Sequence, residues 1–158
     1  MLKLIRIFLA GLIFSICLYS CDLPSGEKNQ SGPPIPENMD YDTSLKFQQY
    51  WTQGRMLYKR NCINCHQNSG AGMKQLIPPL AGSDYLADTA AVACIILHGQ
   101  QGEIIVNGQK FEGIMPANPQ LKPLEIAELV TYIRNSWGNE GGFTSVKDAE
   151  RYLNLCDK

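Results

Sequence analysis

The stretch Cys62-Ile63-Asn64-Cys65-His66 has the form C-x-x-C-H, in which a histidine follows directly after the second of two cysteines. On one helical turn this spacing puts both thiols on the same side, and the histidine ring comes next to them. Each thiol can add across a vinyl group of haem, and the imidazole can then ligate the iron. The pattern therefore predicts covalent haem at Cys62 and Cys65, with His66 as an iron ligand.

Two other kinds of site also use closely spaced cysteines. A thioredoxin-like redox pair occurs in a βαβ setting, and no β-branched strand leads into residues 62–66. A structural zinc site needs four ligands, usually as two close pairs, but His98, Cys94 and Cys156 supply no second close pair. Covalent haem is the interpretation that fits the motif best, with these two as alternatives.

The first residues of the chain have the pattern of a secretory signal. Lys3 and Arg6 give a positive start, and the apolar run from Ile7 to Leu18 is too short to span a bilayer comfortably. The run leads into Leu18-Tyr19-Ser20-Cys21, which resembles the lipobox of bacterial lipoproteins. That resemblance implies cleavage before Cys21 and a lipid on this cysteine. An ordinary cleaved signal and an uncleaved anchor helix are the alternatives.

The chain divides into four segments. Residues 1–20 are the predicted signal peptide. Residues 21–41 are rich in Pro, Gly, Ser, Asn and charged residues without an apolar period, which predicts a flexible, lipid-anchored linker. Residues 42–138 are long enough for one domain, and residues 139–158 form a C-terminal extension.

Helical periodicity dominates the predicted domain. Apolar residues recur every three or four positions over 47–61, which predicts a first helix that ends near Cys62. A second helix is predicted over 89–98, and a third from Pro123, a favourable first-turn residue, to Trp137. Between them the Asn107-Gly108 pair, flanked by apolar residues, predicts a small hairpin or tight turn.

Three helices with a long haem-facing loop resemble the class I c-type cytochrome fold, over about residues 47–138. Gly54 and Tyr58 match that family's first helix, where a glycine permits close crossing by the last helix. Tyr132 stands where the family places the crossing aromatic. The resemblance implies an all-α fold with three main helices around one covalently bound haem c, and a short helical extension follows at the C-terminus.

The same resemblance implies how the ligand histidine is held. The segment Ile77-Pro78-Pro79-Leu80-Ala81-Gly82 looks like the family's segment after the haem motif, whose proline carbonyl accepts a hydrogen bond from the histidine. Aligned on the leucine and glycine, that carbonyl belongs to Pro78. Such a bond fixes the imidazole ring and its tautomer, and it makes the other nitrogen a better ligand.

The second iron ligand is implied by Gly113-Ile114-Met115-Pro116, which looks like the family's distal-ligand loop. A thioether is a soft, neutral ligand that favours reduced iron, so Met115 is the expected ligand. A core methionine with an open iron site is one alternative, and ligation by His98 is another.

A haem with both axial positions filled leaves one-electron transfer as its chemistry, because a small molecule would have to displace a ligand to reach the iron. The expected function is an electron carrier, not an enzyme, that passes electrons between membrane-associated respiratory or dehydrogenase partners. One alternative is a haem peroxidase or small-oxide reductase with an open iron site. The other is a haem subunit docked permanently on an oxidase or dehydrogenase.

The charge of the chain is close to balanced, with 14 Lys and Arg against 15 Asp and Glu. A nucleic-acid partner would need a basic excess, so none is expected. Electrostatic steering of redox partners should be weak. The expected location is the periplasm-facing or outer surface of a bacterial membrane, held there by the lipid on Cys21.

The tail carries the remaining structural signals. Thr144 or Ser145 is placed to cap a short helix with an apolar side. Cys94 and Cys156 are the cysteines left once the others are assigned. A disulfide that ties the tail to the domain and two separate apolar cysteines are both consistent with the sequence.

Overall fold

The computed structural model describes residues 32–33 and 35–156. The predicted signal peptide, the lipid-bearing Cys21 and most of the predicted linker lie outside these residues. Within the described ranges, no helix is both long and apolar enough to cross a bilayer.

The described chain is mostly helical. Its elements, in chain order, are α1 (Tyr41–Asn61), α2 (Ile63–His66), a 3₁₀-helix (Asp84–Ala87), α3 (Thr89–His98), β1 (Ile104–Val106), β2 (Gln109–Phe111), α4 (Pro123–Ile133) and α5 (Val146–Leu153). This architecture confirms the predicted fold class, and α5 is the predicted C-terminal helical extension.

Helix α1 starts before the predicted apolar period, because Asp40 caps it. The Asp40 carboxylate accepts a hydrogen bond from the Thr43 backbone N–H at 3.0 Å, which satisfies a donor of the first turn. The buried face of α1 then packs on α4. At this crossing a Cβ on Gly54 would overlap the Glu128 carbonyl and lie 2.7 Å from the Tyr132 Cβ, as the predicted close crossing requires.

Helix α4 ends at Ile133, so the prediction that it extends to Trp137 was wrong. The Asn135 side-chain amide donates to the Thr131 carbonyl at 2.7 Å, a bond that competes with the next helical N–H. Trp137 itself has φ +55°, a left-handed backbone that an α-helix does not contain. The chain therefore leaves α4 in a series of turns.

The small sheet is the predicted hairpin. Strands β1 and β2 pair antiparallel, with Val106 opposite Gln109, and the two turn residues Asn107 and Gly108 have φ +51° and +74°. Positive φ at both central positions is what a type I′ turn requires. Asn107 also exchanges two hydrogen bonds with Asp84, at 2.7 and 2.9 Å, which tie the hairpin to the 3₁₀-helix.

The tail is joined covalently to the domain. Ser145 caps α5 by accepting a hydrogen bond from the Asp148 N–H at 3.2 Å, and Ala149 on its inner face is fully buried. Cys156 is bonded to Cys94 of α3 in a disulfide that closes a sequence separation of 62 residues. Of the two possibilities left by the sequence, the structure has the disulfide.

Candidate functional site

One cavity brings together the residues that the sequence predicts to hold haem. Cys62, Cys65, His66, Pro78 and Met115 all line it, and its empty space, including the open mouth, is about 1000 Å³. Most of its other lining residues are apolar, among them Leu80, Leu86, Val92, Ile96, Phe111 and Ile133. An apolar cleft with two thiols, an imidazole and a thioether on its walls fits a largely apolar macrocycle with a central iron.

The two thiols are presented by α2, a single helical turn. Cys62 stands at its N-terminus, where its N–H still bonds the Tyr58 carbonyl of α1 at 2.8 Å, and His66 is its last residue. Cys62 is half-buried, whereas Cys65 is exposed. Burial, and secondarily the nearby Cys65, raise the pKa of the Cys62 thiol to about 11. Before haem is attached, the sulfur of Cys62 is therefore a neutral thiol at physiological pH.

The imidazole of His66 is buried against the Pro78 segment. Its Nδ1 lies 3.2 Å from the Pro78 carbonyl oxygen, so the tautomer with a proton on Nδ1 donates to that carbonyl and leaves Nε2 with a free lone pair. Burial lowers the pKa of His66, and the hydrogen bond to Pro78 opposes this only in part. Burial thus favours the neutral imidazole and the hydrogen bond orients it, and a neutral, oriented imidazole is the form that binds a metal.

Met115 is half-buried on the wall of the same cavity. The described residues that line this cavity do not include His98, Met56 or Met73. His98 is exposed at the end of α3, and Met56 and Met73 also have exposed side chains. The structure thus brings Met115, and not its rivals in the sequence, to the cavity that His66 lines.

The described residues do not provide the surroundings that a zinc site or a thioredoxin-like redox pair needs. Within the part of the chain that the structure describes, no group of three or more His, Cys, Asp and Glu side chains could hold a metal ion. A zinc site at Cys62 and Cys65 therefore has no further ligands. Helix α1, not a β-strand, leads into the motif, so the βαβ setting of a thioredoxin-like pair is missing as well.

Three asparagines hold the loops around the cavity, and of these only Asn107 stands in a recognisable sequence pattern, the turn of the hairpin. Asn139 donates to the Leu80 carbonyl and accepts from the Gly82 N–H, both at 2.9 Å. Asn107 binds the 3₁₀-helix as described above, and Asn118 binds the end of α3. Asparagine is common in loops for its side-chain hydrogen bonds, but sequence gives no sign of the distant partner.

Known proteins resemble this chain over the region of the cavity. The family model described as Cytochrome c matches residues 51–137. A cytochrome c-552 of Thermus thermophilus is 37% identical over 91 residues, which cover 54% of this chain and 69% of that protein.

More distant matches are the cytochrome c subunits of two quinone alcohol dehydrogenases. The subunit of Gluconacetobacter polyoxogenes is 30% identical over 123 residues, 70% of this chain but 26% of the subunit. That of Gluconobacter oxydans is 31% identical over 103 residues, 62% of this chain and 21% of the subunit. The chain thus spans only a fraction of the length of these subunits.

The relatives are cytochromes or cytochrome subunits and not catalytic enzymes in their own right. This agrees with the expectation of an electron-transfer protein. The family match covers α2 with its two cysteines, the hairpin and α4, which together surround the cavity. The chain therefore belongs to the cytochrome c family, and its cofactor is a covalently bound haem c with its iron.

Proposed function

We propose that the protein is a one-electron carrier in which Cys62 and Cys65 bind the haem covalently and His66 and Met115 are the axial ligands. The observation that carries this proposal is that an imidazole and a thioether line the same apolar cavity as the two thiols. With His66 and Met115 both bound to it, the iron would have no open position for a substrate. When bound, the haem supplies a one-electron couple between ferric and ferrous iron.

Each residue contributes a separate physical effect. The Pro78 carbonyl holds the His66 ring through Nδ1, which orients Nε2 and increases its basicity as a ligand. As a neutral ligand, the thioether of Met115 would stabilise the ferrous state and so raise the reduction potential. The apolar side chains around both ligands exclude water, which disfavours the more highly charged ferric state and acts in the same direction.

The potential of the Met115→His variant tests this ligand set. An imidazole in place of the thioether should lower the reduction potential by on the order of 0.1 V or more, within the roughly 0.8 V that axial ligands span. Met73→Leu is the matched control, because Met73 is 38% exposed and lies outside the cavity wall. An unchanged potential in Met115→His would show that Met115 is not a ligand.

We also place the protein outside the cytoplasm, anchored by lipid on Cys21. The Cys94–Cys156 disulfide supports an oxidising compartment, and the signal-like first residues support export. Cys21→Ser should move the holoprotein from the membrane fraction to the soluble fraction on cell lysis. Unchanged retention in membranes would mean that the apolar segment before Cys21, and not a lipid, is the anchor.

The proposed partners are membrane-associated redox proteins: a dehydrogenase, an oxidase or a reductase. A permanently docked subunit is a second candidate, favoured by the similarity to cytochrome subunits of quinone alcohol dehydrogenases. Purification in mild detergent separates the two candidates. A carrier should elute as a small, free protein, whereas a subunit should elute with a large redox enzyme.

A further inference from the structure

The loop that carries Met115 is attached to the C-terminal end of α3. Gln100 and Met115 exchange both of their backbone hydrogen bonds, with N···O distances of 3.0 Å from Gln100 and 2.8 Å from Met115. Gln100 follows Gly99, which ends α3 with φ +81°. The place of Met115 in the fold is therefore set by where α3 ends.

Asn118 makes a second connection between the same two elements. Its side-chain amide donates to the Ile96 carbonyl at 3.0 Å, and its backbone N–H donates to the Leu97 carbonyl at 3.1 Å. Both carbonyls belong to the last turn of α3, where no later helical N–H is available to them. Asn118 thus satisfies two acceptors of α3 and, in doing so, fixes the chain three residues after Met115.

The contact between the loop and α3 leaves no spare room. A Cβ on Gly99 would lie 2.5 Å from the Met115 carbonyl oxygen and 2.9 Å from the Ala117 backbone nitrogen. Pro116 and Pro119 restrict the backbone on either side of this contact. The loop is thus short and stiff, and it is attached to the end of α3 at Gln100 and Asn118. These properties would keep the Met115 sulfur in one place.

We propose that Asn118 is a positioning residue, which keeps the Met115 sulfur at the haem by binding the C-terminal carbonyls of α3. This inference rests on the proposed role of Met115 as an axial ligand. Without the Asn118 side-chain amide, the Ile96 carbonyl must find water or stay unpaired, and the second connection keeps only the backbone hydrogen bond from Asn118 to Leu97. States in which the sulfur has left its ligand position then become more populated.

The variant Asn118→Asp tests the proposal, since a carboxylate of the same shape cannot donate and repels the carbonyl. The equilibrium for release of the sulfur should rise about three- to tenfold, as expected for one lost hydrogen bond. Two readouts follow it: the pH at which the ferric protein loses its sulfur-to-iron charge-transfer band, and the rate of carbon monoxide binding to the ferrous protein. With one proton coupled to release, a tenfold change lowers that pH by about one unit.

Gln120→Glu is the matched control, because it makes the same change of charge at an exposed residue of the same segment. Gly99→Ala should act in the same direction as Asn118→Asp through the second contact. Should Asn118→Asp fail to take up haem, Asn118→Ser, which keeps a shorter donor, carries the same test with a smaller change.

The outcomes separate this inference from the proposed function. A wild-type protein without the charge-transfer band would overturn the ligand role of Met115 itself. A wild-type protein with the band, and an Asn118 variant that matches wild type and Gln120→Glu in both readouts, would overturn the role of Asn118 alone. A lower pH of band loss and faster carbon monoxide binding, in the Asn118 variant but not the control, is the expected result.

Discussion

Gly54 marks the point where α1 and α4 cross, and the space there admits no side chain. A Cβ at this position would meet the Glu128 carbonyl carbon at 2.6 Å and the Tyr132 Cβ at 2.7 Å. These atoms belong to the backbone and to the start of a buried side chain, so they cannot turn aside as the end of a flexible chain would. The close packing of α1 on α4 therefore requires glycine, which has no Cβ, at position 54.

Gly54→Ala should destabilise the protein, although alanine is the better helix former by about 1 kcal/mol. The added methyl has to push α4 away from α1, and overpacking of this kind costs about 1–3 kcal/mol. The free energy of unfolding of the holoprotein in guanidinium chloride measures the effect. Gln53→Ala, at an exposed position one residue earlier, is the control. A Gly54→Ala protein at least as stable as Gln53→Ala would contradict the close crossing.

At the level of single residues, local patterns predicted which side chains meet. The spacing of the C-x-x-C-H stretch predicted that its two cysteines and histidine share one site, and resemblance to a known fold predicted the close crossing at Gly54 and the places of Pro78 and Met115 beside that site. The contacts of Asn118 could not be predicted, because its hydrogen bonds go to carbonyls some twenty residues earlier in the chain that only tertiary structure brings near. Whether Cys94 meets Cys156 was undecidable for the same reason.

At the scale of elements, α5 is the part of the fold that lies beyond the region matched by the family model. It packs on both α3 and α4, with Ala149 fully buried and Tyr152 and Leu153 against the core. The disulfide to Cys94 fixes it to the middle of α3, the helix that also carries the Met115 loop. The extension thereby braces the wall of the cavity from outside.

Replacing both Cys94 and Cys156 by serine should lower the free energy of unfolding by about 2–4 kcal/mol. The physical reason is that the open chain regains the conformational entropy of the loop that the bond closes. Denaturant unfolding of the holoprotein, with and without a reductant that leaves haem attachment intact, measures it. The reductant should destabilise the wild type and leave the double variant unchanged. Equal free energies of unfolding for the wild type and the double variant would show that the disulfide does not stabilise the fold.

The ends of the helices show where sequence reasoning succeeds and fails. The second helix was predicted with the bounds that the structure has, because Asp88 and Gly99 stop it at both ends by local chemistry. The start of α1 was readable in principle from Asp40, a good N-cap. The end of α4 could not be read from the sequence, because the apolar periodicity continues to Trp137. In the structure, the Asn135 side chain and the left-handed backbone at Trp137 end the helix earlier.

At the scale of the molecule, the described elements from α2 to α4 contribute residues to one cavity. Because the walls of this cavity are mostly apolar, a haem bound there would bury apolar side chains that the polypeptide alone leaves uncovered. The sequence predicted this cofactor from five residues. The shape of its pocket depends on loops held by Asn107, Asn118 and Asn139, whose contacts no local pattern encodes.

The most direct measurement is the visible spectrum of the purified protein, ferric and ferrous, with and without carbon monoxide. The ferric protein should show a far-red sulfur-to-iron charge-transfer band, and the ferrous protein should not bind carbon monoxide readily, because His66 and Met115 are proposed to fill both axial positions. Ready carbon monoxide binding, with no such band, would show an open or labile iron site. That result would contradict the electron-carrier account and favour an enzyme.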